Sequence, residues 1–201
     1  MKETRDYILK KSFQLFLQKS FKEVTMKEIV DKTGLSKGAF YHYFESKEAV
    51  FEEVVKYFYN HEIITDYSGF PTTSLKDFYH TYLDRLNQPS DEIDDLGDNE
   101  ANLFVFISEA SRKVPRFTEI HNAQRKKELQ AWSSAVFRAK KNKEIKSALP
   151  DEDIARMFIY LSDGVSLSTI SHKPNEETLS ELKRSWDNLY KLLVGWGLSV
   201  Y

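Results

Sequence analysis

No cysteine occurs in the 201 residues, which removes disulfide frameworks, thiolate metal sites and cysteine nucleophiles together and makes a reducing cytoplasm the expected setting. Glycine is scarce: seven residues scattered along the chain build no phosphate-cradling loop. The Gly-x-Ser-x-Gly elbow and the His-Glu-x-x-His helix are both missing, and His61-Glu62 has no second histidine four residues after the first. No enzyme activity, cofactor or metal is therefore expected. Nothing approaches 18 unbroken apolar residues, and the charged opening MKETRDYILKK has no apolar run behind it, so neither a membrane span nor a secretory leader is expected. Strand alternation is missing too. Apolar residues recur at steps of three and four, which predicts an all-α protein.

Net charge is small, −2, but unevenly placed. Residues 1–47 carry ten basic and six acidic side chains, a balance of +4, whereas the remainder stands at −6. Only the amino-terminal part suits a polyanion, and one such part binds weakly enough that two copies would be needed.

Within that part, residues 25–47 read TMKEIVDKTGLSKGAFYHYFESK. Thr25 and Glu28 have the spacing of a capping box, so a helix starts at Thr25 and buries Ile29 and Val30. Gly34 falls where the chain must reverse, in a left-handed conformation that only glycine adopts cheaply. Ser36 caps the next helix, and Gly38 sits inside it at a cost of roughly 1 kcal/mol relative to alanine. A missing side chain there lets another surface come close. If that surface is a DNA major groove, Lys37 suits guanine O6 and N7 and the Ala39 methyl suits thymine. Tyr41, His42 and Tyr43 carry tips suited to phosphate, and Ser46 with Lys47 opens a further helix whose amino end attracts an anion.

Capping box, turn glycine, Ser-Lys-Gly, Tyr-His-Tyr-Phe and Ser-Lys-Glu in this order and register resemble the DNA-binding domain of TetR-family transcriptional regulators. The resemblance covers roughly the first 55 to 60 residues and implies a three-helix helix-turn-helix domain. Ile8, Leu9, Ser12, Leu15 and Phe16 form one face of its first helix, and Phe21 and Val24 lead into the second. Ser20, Val30 and Thr33 depart from the family pattern without removing a DNA-facing group. The residues assigned to DNA are thus Thr25, Ser36, Lys37, Gly38, Ala39, Tyr41, His42, Tyr43 and Lys47. Domains are expected at 1–47, reaching about 60 with helix four, and at 48–201, the latter for effector binding and dimerisation.

Later helices are expected over 46–65, 74–87, 99–113, 115–142, 150–171 and 175–198, punctuated by Pro89, Pro115, Pro150 and Pro174. The last places Leu179, Leu182, Trp186, Leu189, Leu193 and Trp196 at alternating steps of three and four, a seam that needs a partner helix. The preceding helix offers Ile154, Met157, Phe158, Leu161 and Val165, with Gly164 allowing close approach. The pattern fits an intrachain core or a subunit interface equally. The resemblance implies a homodimer, with Met157, Leu161, Val165, Leu182, Trp186, Leu189 and Leu193 at its interface.

There are 28 Phe, Tyr and Trp residues, and those on helices that enclose an inducer pocket in similar proteins are Phe104, Phe106, Trp132, Phe137, Phe158 and Tyr160. Such a pocket would take a small apolar or aromatic effector. The residues assigned to it are Asn102, Phe104, Ser108, His121, Trp132 and Asp163. The acidic run Asp91–Glu100 lacks the alternation of a calcium loop and reads as a solvated loop. The resemblance implies a ligand-responsive repressor that binds a near-palindromic double-stranded operator as a homodimer. A helical dimeric protein-interaction module without sequence-specific DNA binding is the alternative, and it leaves Lys37-Gly38 and the localised positive charge unexplained.

Overall fold

The computed structural model describes residues 2–61, 65–88, 103–168 and 176–195, and among these it is helical without strands. The helices are α1 (Lys2–Gln18), α2 (Met26–Thr33), α3 (Lys37–Tyr41), α4 (Lys47–His61), α5 (Leu75–Leu86), α6 (Leu103–Lys113), α7 (Phe117–Lys141), α8 (Asp151–Ser168) and α9 (Glu176–Val194). Each expected helix is present, with its described ends within a few residues of the expected bounds; the parts expected at 62–64, 99–102, 169–171 and 196–198, with Trp196, lie outside the described residues. The expected acidic loop at 91–100 lies outside the described residues. No helix among the described residues is long and apolar enough to cross a membrane.

Two compact units divide the chain, one from 1–65 and 90–124, the other from 66–89 and 125–201. The expected domains at 1–47 and 48–201 divide the chain by task. Packing groups it differently, because α6 and the start of α7 bury their apolar residues with α1 and α4. Phe13 shows the reason: its ring lies 4.9 Å from Phe58 of α4 and 5.3 Å from Phe106 of α6, an aromatic contact that short-range sequence pattern does not reveal. The apolar surface of α1 is accordingly wider than one face. Phe13, Gln14 and Leu17 are buried beside Ile8, Leu9, Ser12, Leu15 and Phe16.

The second unit is built around aromatic rings. Trp132 of α7 lies between Phe78 at 5.0 Å, Trp186 at 5.1 Å and Phe158 at 5.3 Å. The Trp186 indole donates to the Phe158 carbonyl at 2.8 Å, tying α9 to α8 through a buried hydrogen bond. At the start of α5, Glu144 accepts from the Leu75 and Lys76 amides and from the Ser74 and Tyr190 hydroxyls. A carboxylate at a helix amino end satisfies donors that have no intrahelical partner.

Candidate DNA-binding interface

The helix-turn-helix forms as its sequence dictates. Thr25 Oγ1 accepts from the Glu28 amide at 3.2 Å while Glu28 accepts from the Thr25 amide at 2.8 Å, closing the capping box. Lys19 adds a 2.7 Å ion pair to Glu28. The ammonium hydrogen bond, with the Thr25 donors, holds the Glu28 carboxyl down at about 2. Gly34 ends α2 at φ 66°, the left-handed conformation expected of it. Ser36 then caps α3 by accepting from the Ala39 amide at 3.2 Å.

Phe40 anchors α3 by full burial in the first unit's core, which leaves Ser36, Lys37, Gly38, Ala39, Tyr41 and His42 facing outward. A Cβ built on Gly38 would meet nothing within 4 Å. The glycine therefore has no packing reason among the described residues. The Lys37 ammonium stands 5.9 Å from the Tyr41 ring centroid, a loose contact that leaves its donors free for a ligand. Tyr43 is half-buried and Thr25 exposed.

Lys47 is placed differently from the expected phosphate contact. Its ammonium turns inward and donates to the Phe21 and Val24 carbonyls, both at 2.7 Å, and sits 4.4 Å from the Phe21 ring centroid. Two of its three donors are spent on the turn between α1 and α2, so its main work is bracing that turn. The α4 amino end is capped instead by Ser46, which accepts from the Ala49 amide at 3.1 Å.

The residues expected to line an effector pocket divide between the two units. Asn102 lies outside the described residues, as does the side chain of Phe104. Ser108 is half-buried on α6, and His121 on α7 contacts the Tyr59 hydroxyl at 3.2 Å, both in the first unit. Burial pushes that Tyr59 hydroxyl up to about 12. Trp132 and Asp163 belong to the second unit, Trp132 in its core and Asp163 at its surface, where Arg125 grips it with two donors at 2.6 and 3.2 Å. Of the other aromatics expected there, Phe106 is core, while Phe137 and Tyr160 point outward. No cluster of three His, Asp or Glu fit to hold a metal occurs among the described residues.

The expected interface seam is also largely internal. Leu182, Trp186, Leu193 and Val165 are buried within the chain itself, because α9 packs on α8 and α5. Met157 is exposed and Leu161 and Leu189 are half-buried.

Comparison with known proteins identifies the amino-terminal domain. Residues 8–54 match the model of the amino-terminal domain of bacterial regulatory proteins of the tetR family. This stretch carries a tetR-family amino-terminal domain. The likeness of this chain to known regulators is local in some cases and long in others. The HTH-type transcriptional regulator YerO of Bacillus subtilis is 43% identical over 58 residues, 29% of this chain and 20% of that protein. The matched stretch thus spans about a fifth of such a relative. The HTH-type transcriptional repressor KstR2 of Mycolicibacterium smegmatis is 22% identical over 177 residues, 85% of this chain and 80% of that protein. The crystal structure of reduced Escherichia coli NemR superposes with a TM-score of 0.65 at 24% identity, covering 90% of this chain and 97% of that one. The TetR fold therefore extends well beyond the helix-turn-helix.

Proposed function

We propose that the protein is a sequence-specific transcriptional regulator, a ligand-responsive repressor that binds a near-palindromic DNA operator as a homodimer in the cytoplasm. The observation that carries this reading is the outer face of α3, where Lys37 and Ala39 flank a glycine with open space beside it. That face suits the floor of a major groove: Lys37 reads a guanine, Ala39 a thymine methyl, and Tyr41, His42 and Tyr43 hold phosphates. Thr25 and Ser36 add hydroxyls at helix starts. Residues 1–47, extended by α4, serve as the reading head, and residues 48–201 serve dimerisation and effector binding.

Dimerisation in this reading uses what the chain leaves uncovered. Met157, Tyr160 and Leu167 are 40%, 60% and 59% exposed and follow one another on the outer side of α8, and Leu192 of α9 is 65% exposed. Leu161 and Leu189 border that surface, whereas Leu182, Trp186, Val165 and Leu193 support it from inside. A small apolar or aromatic effector acts by population shift, binding more tightly to a conformation whose two reading heads no longer match successive major grooves. An effector with equal affinity for both conformations would release nothing.

Selection of duplexes from a random DNA library by the purified protein tests the reading. An enriched inverted repeat is the expected result. A folded dimer that enriches no sequence would transfer the case to the protein-interaction alternative.

A further inference from the structure

The turn between α1 and α2 has its backbone polar groups satisfied from several directions, and one of them is unexpected. The Ser20 amide donates to Glu23 at 2.9 Å, and the Glu23 and Val24 amides close back onto the Ser20 carbonyl. Lys47 of α4 takes the Phe21 and Val24 carbonyls. The Phe21 amide is taken from 88 positions away: it donates to the Glu109 carboxylate of α6 at 2.6 Å. One helical turn later on the same face of α6, the Lys113 ammonium lies 4.3 Å from the Phe21 ring centroid. The ring itself packs edge-on against Phe51 at 5.0 Å. Phe21 is therefore clasped at its amide by a carboxylate and at its ring by two cations, and both members from α6 stand at i and i+4.

We propose that Glu109 and Lys113 are positioning residues for DNA reading, a role that rests on the function proposed above. The turn they hold leads directly into the Thr25 cap and so sets where α2 begins. Alpha2 in turn carries Gly34 and the α3 face. Glu109 touches no DNA in this scheme; it acts through the Phe21 amide. A charge-assisted hydrogen bond of this length is among the stronger contacts available, and without it a half-buried amide loses its acceptor.

The sign of the effect separates this role from plain electrostatics. Removing an acid makes the protein more positive, which by itself tightens binding to every duplex. Loss of positioning does the opposite for the preferred sequence alone. The test compares Glu109→Ala with Glu109→Gln, which share the charge change, while only glutamine retains an oxygen that can accept from Phe21. Affinity for the selected operator and for a random duplex is measured in both, alongside backbone hydrogen exchange over residues 19–33 in DNA-free protein. Glu109→Ala is expected to lose roughly tenfold in operator affinity, the scale of one charge-assisted hydrogen bond, with random-duplex binding unchanged or tighter. Its exchange over the turn rises, Glu109→Gln recovers most of both signals, and Lys113→Ala shows a smaller loss of the same kind.

Unchanged exchange in Glu109→Ala overturns the clasp, whether or not the protein binds DNA. Faster exchange with unchanged preference for the operator overturns the positioning role. Equal loss on both duplexes with a lowered melting temperature, and no rescue by glutamine, makes Glu109 structural only. A wild-type protein without sequence preference removes the DNA-reading function, and with it the positioning role, while the exchange measurement still decides whether Glu109 holds the turn.

Discussion

Gly38 and Lys47 illustrate how a single residue's surroundings decide between binding and structure. Both were singled out by the sequence pattern, but only one has open space. Gly38→Leu adds a side chain where nothing lies within 4 Å, so the fold should tolerate it and helical circular dichroism should stay unchanged while operator binding is lost. A collapse of the helical signal would instead make Gly38 structural. Lys37→Ala is expected to cost about 1 to 3 kcal/mol at one base position and to relax specificity there, as read by binding to operators changed one base at a time. Lys47→Ala belongs to another class. It removes two hydrogen bonds to backbone carbonyls, so it should lower stability by about 2 kcal/mol in denaturant unfolding and weaken DNA binding as a consequence. Retained stability with uniformly weaker DNA binding would restore Lys47 to a direct phosphate contact.

At the scale of elements, the capping box makes α2 sensitive to acid. Glu28 titrates near its ordinary value of about 4.5 when unfolded and at about 2 when folded, held down first by Lys19 and then by the Thr25 donors. A depressed carboxyl contributes stability above its unfolded value and loses it as pH falls towards the folded one. Protection of the α2 amides against hydrogen exchange should therefore drop between pH 4.5 and 2, and Glu28→Gln should flatten that dependence. An unaltered profile in the glutamine variant would show that the carboxylate is not the group responsible. The cap was legible because Thr25 and Glu28 are three residues apart, as were Gly34, the Ser36 cap and the start of α5 at Ser74. The clasp on Phe21 was not legible. Its partner Glu109 lies on a different helix, and nothing within a turn of either residue announces the pairing. Alpha1 was legible only in part for the same reason: a one-face stripe was readable, but Phe13 meets Phe58 of α4 and Phe106 of α6 on another side.

For the whole molecule, the heptad spacing in α9 identified a helix pair correctly as a pattern but could not say which chain supplies the partner. Trp186 answers for its own position. It is fully buried and its indole is bonded to Phe158 of the same chain, so a polar replacement there should unfold the second unit rather than separate subunits. The surface proposed for a second copy is marked by exposure, a property that periodicity alone does not report. Tyr160→Glu combined with Leu167→Glu places two charges on outward side chains that the single chain leaves 60% and 59% exposed. The chain should keep its helical content and melting cooperativity but sediment as a monomer. Because one reading head carries only a balance of +4, the monomer should also bind the operator more weakly and with a shallower dependence on salt, roughly half the number of displaced counterions. A double variant that still sediments as a dimer with full operator affinity would place the subunit contact elsewhere on the protein and leave the outer side of α8 without that role.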